Sequence, residues 1–204
     1  GGKAGIVADP GCDPFHKEQL LRAFARSIRT LTDYIPGPDM GTDETAMGWV
    51  RDEIGRSVGL SKVLGGIPLD QVGATGFGCA IAAEVSQEFA DLPLKGARIC
   101  VQGFGNVGQP AARFFQERGA IMTIATDLDG TVYDPDGIDV DELIKLKQET
   151  GRVTDYSRGQ KFDDRNAFID LEHDYFVPAA RPDVIDENNA LRLNCKVIIQ
   201  GANI

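Results

Sequence analysis

Apolar residues recur at helical spacing along the first third of the chain. Between Asp13 and Ile35, Leu20, Leu21, Phe24, Ile28 and Leu31 follow a 3.6-residue period, with Asp13 placed to cap the helix and Pro14 at its first position. The stretch PGPDMG breaks the pattern. Residues 42–59 then predict a second helix, with Thr42 as cap, acids in the first turn and Gly59 just beyond the end. Residues 60–75 carry Gly65, Gly66, Pro68 and Gly73 and read as a loop, and residues 76–92 predict a third helix.

From residue 97 the pattern changes. ARICVQG, AIMTIATD, DYFVPAA and CKVIIQGAN are short, nearly unbroken apolar runs, as expected of strands buried on both faces of a parallel sheet. A helix is predicted from Gly105 to Arg118. LDGTVYDPDGIDVDELIKLKQ reads as a turn-rich strand followed by a helix capped near Asp139. Alternating strands and helices over 97–203 predict an α/β fold with a doubly wound parallel sheet.

One junction carries chemistry. After the run ICVQ comes GFGNVG, residues 103–108, with glycines at 103, 105 and 108. In this pattern the first glycine permits a tight turn, the second lets backbone approach a pyrophosphate, and the third lets helix and strand pack closely. A strand before it and a helix after it supply the context of a Rossmann-type dinucleotide site, so Gly103, Phe104, Gly105, Asn106, Val107 and Gly108 are candidate cofactor-binding residues. Asp127 ends the next strand at the distance expected of the acid that accepts from the adenosine ribose hydroxyls. No Lys or Arg follows it in TDLDGTVYD to receive a 2′-phosphate, which favours NAD over NADP.

Composition narrows the picture. The 204 residues carry a formal net charge of −10, which argues against nonspecific nucleic-acid binding. No apolar run reaches the length of a membrane span, and the four scattered cysteines fit a reducing cytoplasm. The aspartates of 127–141 miss the calcium-loop template, because Ile138 falls where glycine is required, and no metal is expected. The chain opens without Met and stops directly after a strand signal, so both ends read as cut.

Two residues of the N-terminal third stand out. Lys3 lies among glycines in GGKAGI, where backbone and ligand can crowd and desolvate an ammonium. Asp39 sits in a turn fixed by proline and glycine between two helices. A 2-hydroxy acid dehydrogenase would want a catalytic histidine, but His16 and His173 have settings that favour solvated or capping roles.

GGKAGI, GPDMGTDE, ATGFG, QGFGNVG, TDLDGTVYDPDGID, VPAA and QGAN occur in this order, and together they resemble the glutamate/leucine/phenylalanine/valine dehydrogenase family. The resemblance implies that Lys3 is catalytic and that Asp39 is its proton-transfer partner. It places Thr75, Asn106, Ala179 and Asn203 along the cofactor cleft. It implies oxidative deamination of an L-amino acid to a 2-oxo acid and ammonium, with hydride passing to NAD, in an enzyme that is a homo-oligomer at full length. Pro38 before the aspartate leans toward glutamate, with leucine, valine, phenylalanine or tryptophan as the alternative substrate. A fragment that binds NAD without turnover is the other reading. On this basis residues 1–75 are expected to be part of a mainly helical substrate domain, and residues 76–204 a Rossmann-type domain incomplete at its C-terminal side.

Overall fold

The structure is a computed structural model that describes residues 2–9 and 11–202. It divides into two compact units, Gly1–Leu69 and Asp70–Ile204, so the division falls ahead of residue 75. Each unit builds its core from its own residues.

In the first unit α1 (Pro14–Ser27) packs on α2 (Glu44–Ile54). Leu21 and Ala25 meet Ala46, Met47, Val50 and Leu60, with Trp49 and Ile54 at the margin. Asp13 caps α1 as expected, its carboxylate accepting the His16 N–H at 3.0 Å. The helix nevertheless stops at Ser27 rather than continuing to Ile35, and Leu31 is exposed. The carbonyls of Ile28, Arg29 and Leu31 accept from the Arg56 guanidinium. The cap of α2 is Asp43, which accepts the Ala46 N–H at 2.8 Å, and not Thr42. The left-handed residue that ends α2 is Gly55, not Gly59.

After a short helix α3 (Leu69–Val72), the second unit runs α4 (Ala74–Ala90), β1 (Arg98–Gln102), α5 (Gly108–Glu117), β2 (Ile121–Thr126), β3 (Thr131–Tyr133), α6 (Val140–Thr150), β4 (Gln160–Phe162), β5 (Tyr175–Pro178) and β6 (Val197–Ile198). The sheet order is β4-β3-β2-β1-β5-β6. Strands β2, β1, β5 and β6 are parallel, whereas β3 and β4 are antiparallel additions at one edge. The sheet is therefore mixed rather than wholly parallel. The reason is local: Asp127 N–H bonds the Gly130 carbonyl, and so tight a reversal can only return the chain antiparallel.

Strand alternation sorts the core into two layers. Ile99, Val101, Tyr175 and Val177 pack with Ala80, Ala83, Ala111 and Phe115. Cys100, Ile124 and Phe176 face the other way, onto Phe168, Ile169 and Val184, with the Phe168 and Phe176 rings stacked at 4.9 Å. At the N-terminal ends of β1 and β5, Arg98 grips Asp174 through two hydrogen bonds of 2.9 and 3.0 Å. These bonds hold the Asp174 carboxyl below its ordinary range. Among the described residues no helix is long and apolar enough to cross a membrane.

Candidate functional site

Numbering reverses in the sheet between β1 and β5, and ligands of such folds bind outside the carboxyl ends of the strands at that point. Gly103 follows β1 directly and has φ 91°, where a Cβ would also come within 2.4 Å of the Ala180 Cβ. The N–H groups of Gly103 and Phe104 both donate to the Thr126 carbonyl at 3.0 Å, tying the turn to the end of β2. Gly108 is compressed in another way, since a Cβ there would lie 2.0 Å from the Gly103 carbonyl oxygen. At Gly105 a Cβ would meet nothing within 4 Å.

The open side of the turn is thus the side at Gly105. A cleft of about 400 Å³ opens from there along the flank of α5, lined by Gly105, Asn106, Gln109 and Arg113 near the turn and by Asp70, Glu117 and Gln148 farther along. Val107 is the N-cap of α5 and makes no side-chain bond to the helix, so no side chain covers its positive end. Bare backbone, free space and an uncapped helix start fit a pyrophosphate. Phe104 contributes only backbone, because its ring is buried in the core. Ala179 donates its N–H to the Gln102 carbonyl at 2.7 Å and so lies beside the end of β1. Thr75, in the first turn of α4, lines a second cleft with Cys79, Ile198 and Gln200. Thr75 and Asn106 therefore lie in different clefts of the same unit. Burial pushes the Cys79 thiol above its ordinary value. Asn203 lies outside the described residues.

Asp127 stands just past β2, as expected, but its carboxylate is turned inward and its side chain is only 6% exposed. One oxygen accepts Lys147 Nζ at 2.6 Å and the Val153 N–H at 2.8 Å, and the other accepts the Asp129 N–H at 2.8 Å. The residues directly following Asp127 hold no cation. The fold brings one from α6, and nothing in local spacing marks it.

In the first unit, Lys3 and Asp39, 36 residues apart, are brought into a direct hydrogen-bonded ion pair between Nζ and Oδ2. The Asp39 turn is fixed by its neighbours. The Thr42 hydroxyl accepts the Asp39 N–H and donates to the Asp39 carbonyl, both at 2.8 Å, and Met40 N–H binds the other carboxylate oxygen. Thr42 is thus a turn clasp, a role hidden by its position one residue before the helix cap. The desolvation expected of Lys3 is not found: its side chain is 73% exposed, because residues 2–9 run along the surface of the unit. His173 departs from expectation too, being buried against the Phe176 ring with Nδ1 on the Leu171 carbonyl.

A strand running into an uncovered glycine turn at a helix start, at the reversal point of a sheet, defines a Rossmann-type dinucleotide-binding unit. The chain belongs to the glutamate/leucine/phenylalanine/valine dehydrogenase family, whose model matches residues 65–204, while that of the family's dimerisation domain matches residues 1–56. It is 38% identical to glutamate dehydrogenase of Aeropyrum pernix over its whole length and 51% of that protein. It superposes on the leucine-bound hetero-hexameric glutamate dehydrogenase of Thermus thermophilus with a TM-score of 0.82 and 28% identity, over 97% of this chain and 49% of that one. Other matching relatives bear the names of NAD-specific and of NADP-specific glutamate dehydrogenases. The chain spans about half the length of the curated relatives it matches.

Proposed function

We propose that the protein takes part in oxidative deamination of an L-amino acid, with glutamate the substrate and a nicotinamide nucleotide the hydride acceptor. The observation that carries this reading is the Lys3–Asp39 pair, two distant residues that the fold joins amine to carboxylate. A bound nicotinamide would supply the acceptor for the hydride of the substrate α-carbon, so that the amino acid is oxidised to its iminium. Lys3 assists attack of water on that carbon, its charge stabilising the carbinolamine, and Asp39 carries the proton that lets ammonia depart. The turn 103–108, Asn106 included, and the start of α5 hold the pyrophosphate, while Thr75, in the other cleft, and Ala179, beside the end of β1, belong to the walls toward the nicotinamide. Relatives named glutamate dehydrogenases support glutamate over leucine, valine, phenylalanine or tryptophan. NAD is the proposed coenzyme, since Lys147 is already engaged by Asp127 and by the Gly151 carbonyl. The whole protein is read as a cytoplasmic homo-oligomer.

The test follows NAD reduction with a panel of L-amino acids alongside the Lys3→Ala variant. Glutamate-dependent turnover that Lys3→Ala loses by about a thousandfold or more, with nucleotide affinity unchanged, is the expected result. Turnover that survives Lys3→Ala overturns the assignment of Lys3. Nucleotide binding without turnover on any amino acid favours the fragment that binds only.

A further inference from the structure

An exposed ammonium and a half-exposed carboxylate do not hold one another in place. Such surface pairs contribute little by themselves, so the geometry of Lys3 and Asp39 depends on the backbone that carries them. Thr42 fixes the Asp39 turn internally, and the turn is joined to the unit on one side by α2, whose cap Asp43 follows Thr42, and on the other by residues 34–38.

That segment is held by Arg56. The guanidinium Nε donates to the Tyr34 carbonyl at 3.1 Å. Nη2 donates to the carbonyls of Ile28 at 2.8 Å, Leu31 at 2.9 Å and Arg29 at 3.3 Å. One rigid, forked side chain thus fixes the open end of α1, the turn that follows it and the start of the Asp39 segment. The residues after Arg56 continue the contact. Val58 N–H donates to the Pro36 carbonyl at 2.8 Å, and Pro36 is buried. Gly59, at φ 68°, lies so close to the Pro38 ring that a Cβ would come within 2.4 Å of it. The Arg56–Gly59 stretch is itself anchored on α2, through the Ser57 hydroxyl on the Met47 carbonyl at 2.9 Å.

We infer that Arg56 is a positioning residue for the Lys3–Asp39 pair, acting through the Tyr34–Pro38 segment that it pins to α1 and α2. The meaning of that role for catalysis rests on the function proposed above, whereas the geometric claim does not. Arg22 provides the control. It too is a half-buried arginine bridging α1 and α2, and its ion pairs run to Glu18 at 2.7 Å and to Asp52 and Glu53 at 3.4 Å, all on the two helices themselves.

The experiment compares Arg56→Met with Arg22→Met in the chain as it stands. Their folded state is checked by circular dichroism, and Arg56→Gln replaces Arg56→Met if the latter fails to fold. Lysine labelling by trinitrobenzenesulfonate, mapped by mass spectrometry, reads the pair directly, because an amine held on a carboxylate reacts more slowly than one that has lost it. Lys3 is expected to label about threefold faster in the Arg56 variant and at the original rate in Arg22→Met, with Lys17 and Lys62 unchanged in both. Where glutamate turnover is measurable, kcat falls in the Arg56 variant alone and KM for NAD stays put. Equal Lys3 labelling in the two variants, or a kcat that loss of Arg56 leaves intact, overturns the inference. A chain that never turns over but shows the labelling difference retains Arg56 in this role and favours the fragment that binds only over a catalyst complete in this chain.

Discussion

His173 is 2% exposed, with Nδ1 on the Leu171 carbonyl at 2.7 Å and Nε2 given no protein partner inside the fold. The Nδ1 atom must carry the proton for that bond, which fixes the neutral tautomer. Burial lowers its pKa below the ordinary 6.5, and this outweighs the Leu171 hydrogen bond and the nearby Asp174 charge, which act the other way. The sign follows directly. Below pH 6.5 the unfolded chain takes up a proton that the folded site resists, so this residue lowers stability as pH falls through that value, and the loss levels off once the folded pKa is passed. In His173→Phe, urea midpoints measured between pH 7.5 and 5.5 are expected to lose that part of their slope. In sequence His173 stands just ahead of the DYFVPAA run, a setting that favours a solvated or capping role, and only the Phe168 and Phe176 rings show where the imidazole goes.

The strand, turn and helix around GFGNVG were legible in the sequence because each glycine answers a local steric demand. Gly108 has no room and Gly105 has nothing but room. Gly105→Ala is therefore expected to fold with unchanged stability and to weaken nucleotide binding by about tenfold or more, read by titration calorimetry. Gly108→Ala should lose about 3 kcal/mol in urea denaturation, since the new methyl group must push α5 off the end of β1. Other elements were illegible for equally physical reasons. β4 is an edge strand of Gln160, Lys161 and Phe162, too polar to carry a strand signal, and it exists because β3 offers it a free edge. α1 seemed to run through Leu31 because the apolar spacing continues. It ends at Ser27, where a guanidinium from far along the chain binds the carbonyls beyond. The Lys3–Asp39 pair was reached through motif resemblance, and its clasp Thr42 was mistaken for a helix cap.

At the scale of the molecule, the chemistry assigned here is divided. The amine and carboxylate belong to the unit Gly1–Leu69, and the nucleotide turn to the unit Asp70–Ile204. The first core is small, built on Leu21, Ala25, Ala46, Met47, Val50 and Leu60. The second fills both faces of a sheet of six strands. Since no core cluster draws residues from both, residues 70–204 expressed alone are expected to fold cooperatively and to gain thermal stability on addition of NAD. A chain of 70–204 that stays unfolded by circular dichroism would show that the second core depends on the first unit.

The inward turn of Asp127 bears on how this protein could be redesigned. Its carboxylate is fastened to Lys147 on α6 and to the Val153 main chain, so the loop that begins at Asp127 is not a detachable cassette. A donor loop grafted over residues 127–130 would meet a lysine selected for a different neighbour, and the recipient of this loop would inherit a buried anion without its counterion. Loop and helix would have to be transplanted together.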